Sequence, residues 1–209
     1  MFSANLKIAL PVILALATTG FAQNPSTPPP TPAQTAPAAT PAPAAPAAPP
    51  TAPKIEDQDS FIVVGVTVRT NNTKEATGQG DIPGLWQNAI QNGTLETIPN
   101  KTGDGMVVVY SDYASDNTGD YNYTLGYRVT SADKVPDGMV ARTIHAGKYS
   151  LVASESGPPQ EVIPALWQRI AQMTPQQLGG ARAYQTDFET YGSIVDWGNV
   201  QMTAHLGLK

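Results

Sequence analysis

The 209-residue sequence contains no cysteine. That excludes disulfides, thiol catalysis, zinc–thiolate centres and a bacterial lipoprotein anchor. Positive charge is scarce: 12 Lys and Arg stand against 17 Asp and Glu, a formal net charge of −5. All 17 acids and only ten of the bases fall in residues 55–209, so that segment carries a formal charge of −7 (10 − 17). A segment so acidic lacks the basic footprint of a nucleic-acid binder. Histidine is nearly absent, with His145 and His205 far apart in sequence. No Ser-His-Asp pattern and no glycine-rich phosphate loop is present. The acidic run Asp112, Asp116, Asn117, Asp120 lacks the alternating spacing of a calcium loop and reads as a solvated hairpin. No cofactor and no metal site is expected.

A membrane-spanning run is missing as well. The apolar stretch after Lys7 is about 15 residues long and interrupted by Pro11, against the ~20 needed to cross a bilayer. With Lys7 in front and the small residues Gly20 and Ala22 behind, residues 1–22 have the form of a secretory signal cut between Ala22 and Gln23. The expectation is a bacterial protein exported to the periplasm or medium, with no stable membrane insertion after cleavage. The uncleaved anchor is the rival reading.

What is abundant is proline, and it is concentrated. Residues 23–54 hold 12 of the 20 prolines, with ten alanines and five threonines. Such a segment cannot build a core and favours extended polyproline II, a disordered linker reaching roughly 100 Å if fully stretched. Residues 55–209 have ordinary globular composition, enough for one well-buried domain.

That domain contains a repeat. Ile82-Pro83-Gly84-Leu85-Trp86-Gln87 returns as Ile163-Pro164-Ala165-Leu166-Trp167-Gln168, five identities in six positions at an offset of 81. Each copy opens a helix: Asp81 is a good N-cap, Pro83 suits the first turn, and Gly93 is a stop. Strands are predicted over 61–70, 106–110 and 121–129 around the first helix. Around the second they are predicted over 139–154, with a bulge or turn at Ala146-Gly147, then 181–191 and 200–206. Asp112-Tyr113 is echoed by Asp187-Phe188. The predicted fold class is α+β, a pseudo-twofold tandem of strand–helix–strand–strand units (about 60–131 and 138–208). An antiparallel sheet would carry two long helices, with a central ligand cleft between the halves.

The series Asp112-Tyr113, Gly119-Asp120-Tyr121, Leu125-Gly126-Tyr127, Val135-Pro136-Asp137-Gly138-Met139, Ala146-Gly147-Lys148-Tyr149, Trp167 and Asp187-Phe188-Glu189-Thr190-Tyr191 resembles the GyrI-like, or AraC-type effector-binding, small-molecule-binding domain. The resemblance covers roughly residues 61–208 and implies a ligand cleft between the two halves. It also implies bulky, flat, hydrophobic cations as ligands, aromatic walls, and an acidic residue at Glu189. The regulators in that family carry a DNA-binding segment; this chain has an apparent signal peptide instead, so direct DNA control is rejected.

Strand alternation puts Tyr184, Thr186 and Phe188 on one face and Asp187, Glu189 and Tyr191 on the other. If Phe188 enters the helix-packed core, Glu189 and Tyr191 face the opposite side. By the residues alone, Glu189 reads first as an exposed strand carboxylate; the resemblance reverses that order and favours the cleft. The chosen ligand-binding residues are Glu189, Tyr191, Tyr149, Trp167 and Tyr127, with Tyr121, Tyr123 and Trp86 as further aromatic candidates. Aromatic faces attract cations by about 0.5–2 kcal/mol each. The leading function is an exported small-molecule-binding protein without enzymatic or DNA-binding activity. Two alternatives stand beside it. One is a hydrolase with Glu189 as general acid/base. The other is a tethered protein-binding adaptor, which a cleft filled by its own side chains would favour.

Overall fold

The computed structural model describes residues 52–192, 194 and 196–209; the expected signal segment and all but the end of the expected linker lie outside the described residues. The elements are β1 (Lys54–Gln58), β2 (Phe61–Thr70), α1 (Asn72–Ala76), α2 (Ile82–Gln91), a 3-10 turn (Thr94–Thr97), β3 (Lys101–Ser111) and β4 (Tyr121–Val129). They continue with β5 (Val140–Ile144), β6 (Gly147–Ala153), α3 (Pro159–Gln172), α4 (Pro175–Leu178), β7 (Arg182–Tyr191) and β8 (Met202–Leu208). The sheet order is β1-β6-β8-β7-β3-β4-β2-β5, antiparallel throughout.

Two β-α-β-β units are therefore joined edge to edge, β2-α2-β3-β4 and β6-α3-β7-β8, with β3 and β7 as central neighbours. Their register locates the pseudo-twofold axis. Val107 pairs with Thr190, Val108 with Glu189 and Val109 with Phe188. At the helix repeat's offset of 81, Val108 corresponds to Glu189 and Tyr110 to Tyr191. Val108 and Glu189 are thus each other's equivalents as well as each other's partners, and the axis passes between them. In the outer pair, Tyr110 faces Tyr123 and Tyr191 faces Met202, so Met202 takes the place of Tyr123 in the second half.

The short strands close the sheet on itself. Gln58 pairs with Gly147 and Phe61 with Ile144 in one unbroken antiparallel register, interrupted only where both chains bend, at Asp59-Ser60 and His145-Ala146. The Ser60 hydroxyl bridges the bend by donating to the Ile144 carbonyl at 2.9 Å. β1-β2 and β5-β6 are therefore two bent ribbons that cross, and the two ends of the sheet meet; of the predicted strands only 139–154 contains such a bend. Gly65 and Gly126 face each other where β2 and β4 approach most closely. A Cβ at Gly126 would lie 2.0 Å from the Val64 carbonyl oxygen, so no larger residue fits.

Closure creates two cores. Inside the curl, Phe61, Val63, Val107, Val109, Ile144, Tyr149 and Phe188 pack together. On the outer face α2 and α3 cover Val64, Val108, Tyr110, Tyr123, Leu125, Tyr191 and Leu206, inserting Ala89, Leu166 and Ile170. Each fully buried Val or Leu contributes about 1.5–3 kcal/mol. This arrangement reverses one expectation. Phe188 points into the sheet's own interior, so Glu189 and Tyr191 lie beneath the helices rather than away from them.

The helix starts also differ from the sequence reading. Asp81 sits at the N-cap of α2 but makes no side-chain cap bond. The carboxylate of Glu75 on α1 does so, accepting from the amides of Asp81 at 3.1 Å and Ile82 at 3.4 Å and from the Thr70 hydroxyl at 2.6 Å. α3 begins at Pro159, more than a turn before the repeated hexamer, which leaves Pro164 inside the helix.

Candidate functional site

At the axis, the Glu189 carboxylate is completely buried. Its Oε1 accepts from the Tyr110 hydroxyl at 2.7 Å and the Trp167 indole Nε1 at 2.6 Å; its Oε2 accepts from the Tyr191 hydroxyl at 2.7 Å. Tyr110 and Tyr191 are pseudo-twofold equivalents, so one residue from each half grips one oxygen. Among the described residues no lysine, arginine or histidine forms an ion pair with Glu189. The negative charge is held by neutral donors alone.

Burial raises the pKa of Glu189, and the bonds from Tyr191, Tyr110 and Trp167 pull it part of the way back. Burial and then the Glu189 charge push both tyrosine hydroxyls well above their ordinary range. They stay protonated and donate. Such charge-assisted bonds are the strong class, and they offset part of the desolvation cost of the carboxylate.

Aromatic rings enclose this centre crosswise. Tyr110 of the first half packs on Trp167 of the second at 5.0 Å, and Tyr191 of the second packs edge-on against Trp86 of the first at 5.6 Å. Trp197, in the β7–β8 connection, meets Trp86 at 6.1 Å. The Trp86 indole donates to the Tyr123 hydroxyl at 2.7 Å. Met202 fills the corresponding place in the second half, where no comparable acceptor competes for the Trp167 N–H.

A second buried carboxylate lies one alternation away. Asp187 pairs with Arg182 and accepts from the Tyr113 hydroxyl at 2.7 Å and the Gly207 amide at 2.8 Å. The Arg182 guanidinium sits 4.4 Å over Tyr184 and 5.9 Å from the Trp167 ring. β7 bulges between Arg182 and Asp187, and Tyr184 has φ of 53°. Asp112-Tyr113 and Asp187-Phe188 are consequently not equivalents, as the echo suggested; Tyr113 instead bonds to Asp187.

Of the expected site residues, the fold brings Glu189, Tyr191 and Trp167 together. Tyr127 stands apart on the same face, lining a shallow hollow of about 230 Å³ with Ala89, Leu95, Met106 and Trp197, its ring under Lys101 Nζ at 4.5 Å. Tyr149 lies on the other face, inside the curl against Phe188, with its hydroxyl on the His145 carbonyl at 3.1 Å. Tyr149, chosen as a ligand-binding residue, is therefore not brought to Glu189: beyond the bend at His145-Ala146 it packs in the inner core. Trp86 and Tyr123 do belong to the outer group. Sequence reasoning missed Tyr110, although the offset of 81 that relates the tryptophans also relates it to Tyr191. The space between α2 and α3 over Glu189 is filled by the protein's own rings.

Residues 54–205 match the family model Cass2, described as integron-associated effector-binding protein. The chain belongs to this family. Its fold is that of a GyrI-like effector-binding domain, and small-molecule binding is the property of the class. An integron cassette protein from Vibrio cholerae superposes with a TM-score of 0.57 at 24% identity, over 74% of this chain and 95% of that one. SAV2435, solved bound to tetraphenylphosphonium, gives a TM-score of 0.59 at 16% identity over 75% and 94% of the two chains. YobU of Bacillus subtilis (strain 168), named as a candidate transcriptional regulator, is 26% identical over 128 residues, 61% of this chain and 78% of its own.

Proposed function

We propose that this domain captures a flat or bulky hydrophobic organic cation between its halves, with Glu189 as the counter-charge and Trp86, Trp167, Tyr110 and Tyr191 as the walls. The carrying observation is the buried Glu189 carboxylate held only by neutral donors. A buried charge without a partner is costly, and a bound cation supplies the partner inside an environment where the attraction is stronger than in water. Aromatic faces add their own attraction for cations. Entry requires the rings of Trp86 and Trp167 to part, because Glu189 has no exposed surface. A relative of the same fold, SAV2435, was solved with tetraphenylphosphonium, a ligand of this kind.

In this reading residues 1–22 export the chain, residues 23–54 tether the domain, and it works in the periplasm or medium without contacting DNA. The acidity of residues 55–209 supports the last point. The test is a tryptophan-fluorescence titration with tetraphenylphosphonium. Glu189→Gln should weaken binding at least about tenfold, the scale of losing one partner of a buried charge pair. Wild-type affinity in that variant removes Glu189 from the function.

The filled cleft favours a second reading, a protein-binding adaptor in which the site is vestigial. A vestigial site has no use for a desolvated carboxylate, which is why ligand capture is preferred. Absence of binding across a broad panel of organic cations would reverse the preference.

A further inference from the structure

Five tyrosines are buried: Tyr110, Tyr121, Tyr123, Tyr149 and Tyr191. Four spend their hydroxyl proton. Tyr110 and Tyr191 donate to Glu189, Tyr121 to the Asn72 Oδ1 at 3.0 Å, and Tyr149 to the His145 carbonyl. Tyr123 differs. Its oxygen accepts from Trp86 Nε1, which has no lone pair to offer in return, and its own O–H finds no acceptor among the described residues. The residue is buried, 3% exposed. A buried donor left unused calls for a physical explanation.

Its position supplies one. Tyr123 faces Tyr110 across β3 and β4, and the two rings meet edge-on at 5.2 Å. Tyr110 in turn holds Glu189. The pseudo-twofold therefore carries different polar groups on its two sides: a carboxylate from the second half, and an unspent hydroxyl donor from the first. Met202 occupies the place equivalent to Tyr123, and Val108 the place equivalent to Glu189, so neither polar group is duplicated.

Resting on the proposed capture of an organic cation, we infer that Tyr123 forms a second, neutral subsite that donates a hydrogen bond to an acceptor oxygen of the ligand. The ligand class is then an aromatic monocation bearing a carbonyl or ether oxygen away from its charge. The cation lies toward Glu189 and Trp167, and the oxygen toward Tyr123 and Trp86. Trp86 supports this role by occupying one lone pair of Tyr123 and directing its proton elsewhere.

The test uses matched probes: tetraphenylphosphonium, which has no acceptor, and the ortho, meta and para isomers of (acetylphenyl)triphenylphosphonium, which add one carbonyl. Calorimetric titration of the wild type should find at least one acetyl isomer bound about fivefold or more tightly than the parent, the scale of one net hydrogen bond. Tyr123→Phe should erase that preference. The ratio between probes is the readout, so a general loosening that weakens all of them equally does not mimic the effect. No preference in the wild type, or a preference surviving in Tyr123→Phe, overturns the subsite while Glu189-dependent binding of the parent still stands. Failure of every probe to bind the wild type removes the capture reading and the subsite with it.

Discussion

Val108 and Glu189 face each other across the pseudo-twofold axis, and they are the same position in the two halves. A duplicated scaffold thus carries an apolar residue on one side of its centre and a charge on the other. The symmetric neighbours are retained: Tyr110 and Tyr191 hold one oxygen each. The asymmetry puts a buried carboxylate where the other half has an apolar packing residue.

The charge is expected to cost stability. Glu189 has a folded pKa raised by burial. Its contribution to stability is fully present below its unfolded pKa and is lost as pH rises through the folded value. At neutral pH, Glu189→Gln should therefore raise the unfolding free energy by the order of 1 kcal/mol, read as a higher urea midpoint, because it removes the desolvation cost of a buried charge. A lower midpoint would show that the three hydrogen bonds outweigh desolvation.

His205 acts in the opposite sense. Its ring stacks on Phe188 at 4.2 Å inside the curl, bonds to Thr190 at 3.1 Å, and leaves Nδ1 without a partner. Burial lowers its pKa from 6.5 to about 4. Stability is then present above the unfolded value and is lost as pH falls from about 6.5 towards about 4. Denaturation at pH 5 against pH 7.5 should show a loss of about 2 kcal/mol attributable to this residue. The loss should shrink in His205→Gln.

The start of α2 separates two candidate caps. Glu75→Ala should cost about 1–2 kcal/mol, because the carboxylate bonds the first amides of the helix that carries Trp86. Asp81→Ala, which removes no cap bond, should stay within about 0.5 kcal/mol. Equal effects would contradict the assignment.

Two strand glycines differ in the same way. Gly126→Ala forces a Cβ against the Val64 carbonyl where β2 and β4 converge, and should cost upwards of about 3 kcal/mol. Gly147→Ala meets nothing within 4 Å and should be nearly neutral. Thermal melts of the two variants decide the point.

Much of this was legible in the chain. The strands at 61–70 and 121–129 coincide with β2 and β4 because their Val- and Tyr-rich alternation survives into the structure. The paired tryptophans announced the two halves. Alternation placed Glu189 and Tyr191 together, but it cannot say which side of a sheet the helices cover. Closure of the sheet gave Phe188 and Tyr149 an interior of their own, and that closure depends on a register between residues some 90 apart. β1 escaped notice since Lys54–Gln58 is polar and half exposed, a strand only by its pairing with β6. Glu75 escaped for a related reason: it caps a helix six residues downstream, outside any local cap pattern.

The most direct test of the central claim is calorimetric titration of tetraphenylphosphonium across pH in the wild type and in Glu189→Gln. The wild type should bind, and its affinity should fall as pH drops through a transition above the ordinary carboxylate range, where Glu189 takes up its proton. Glu189→Gln should bind at least about tenfold more weakly with no such transition. Equal affinity and the same pH profile in both proteins would contradict Glu189 as the counter-charge.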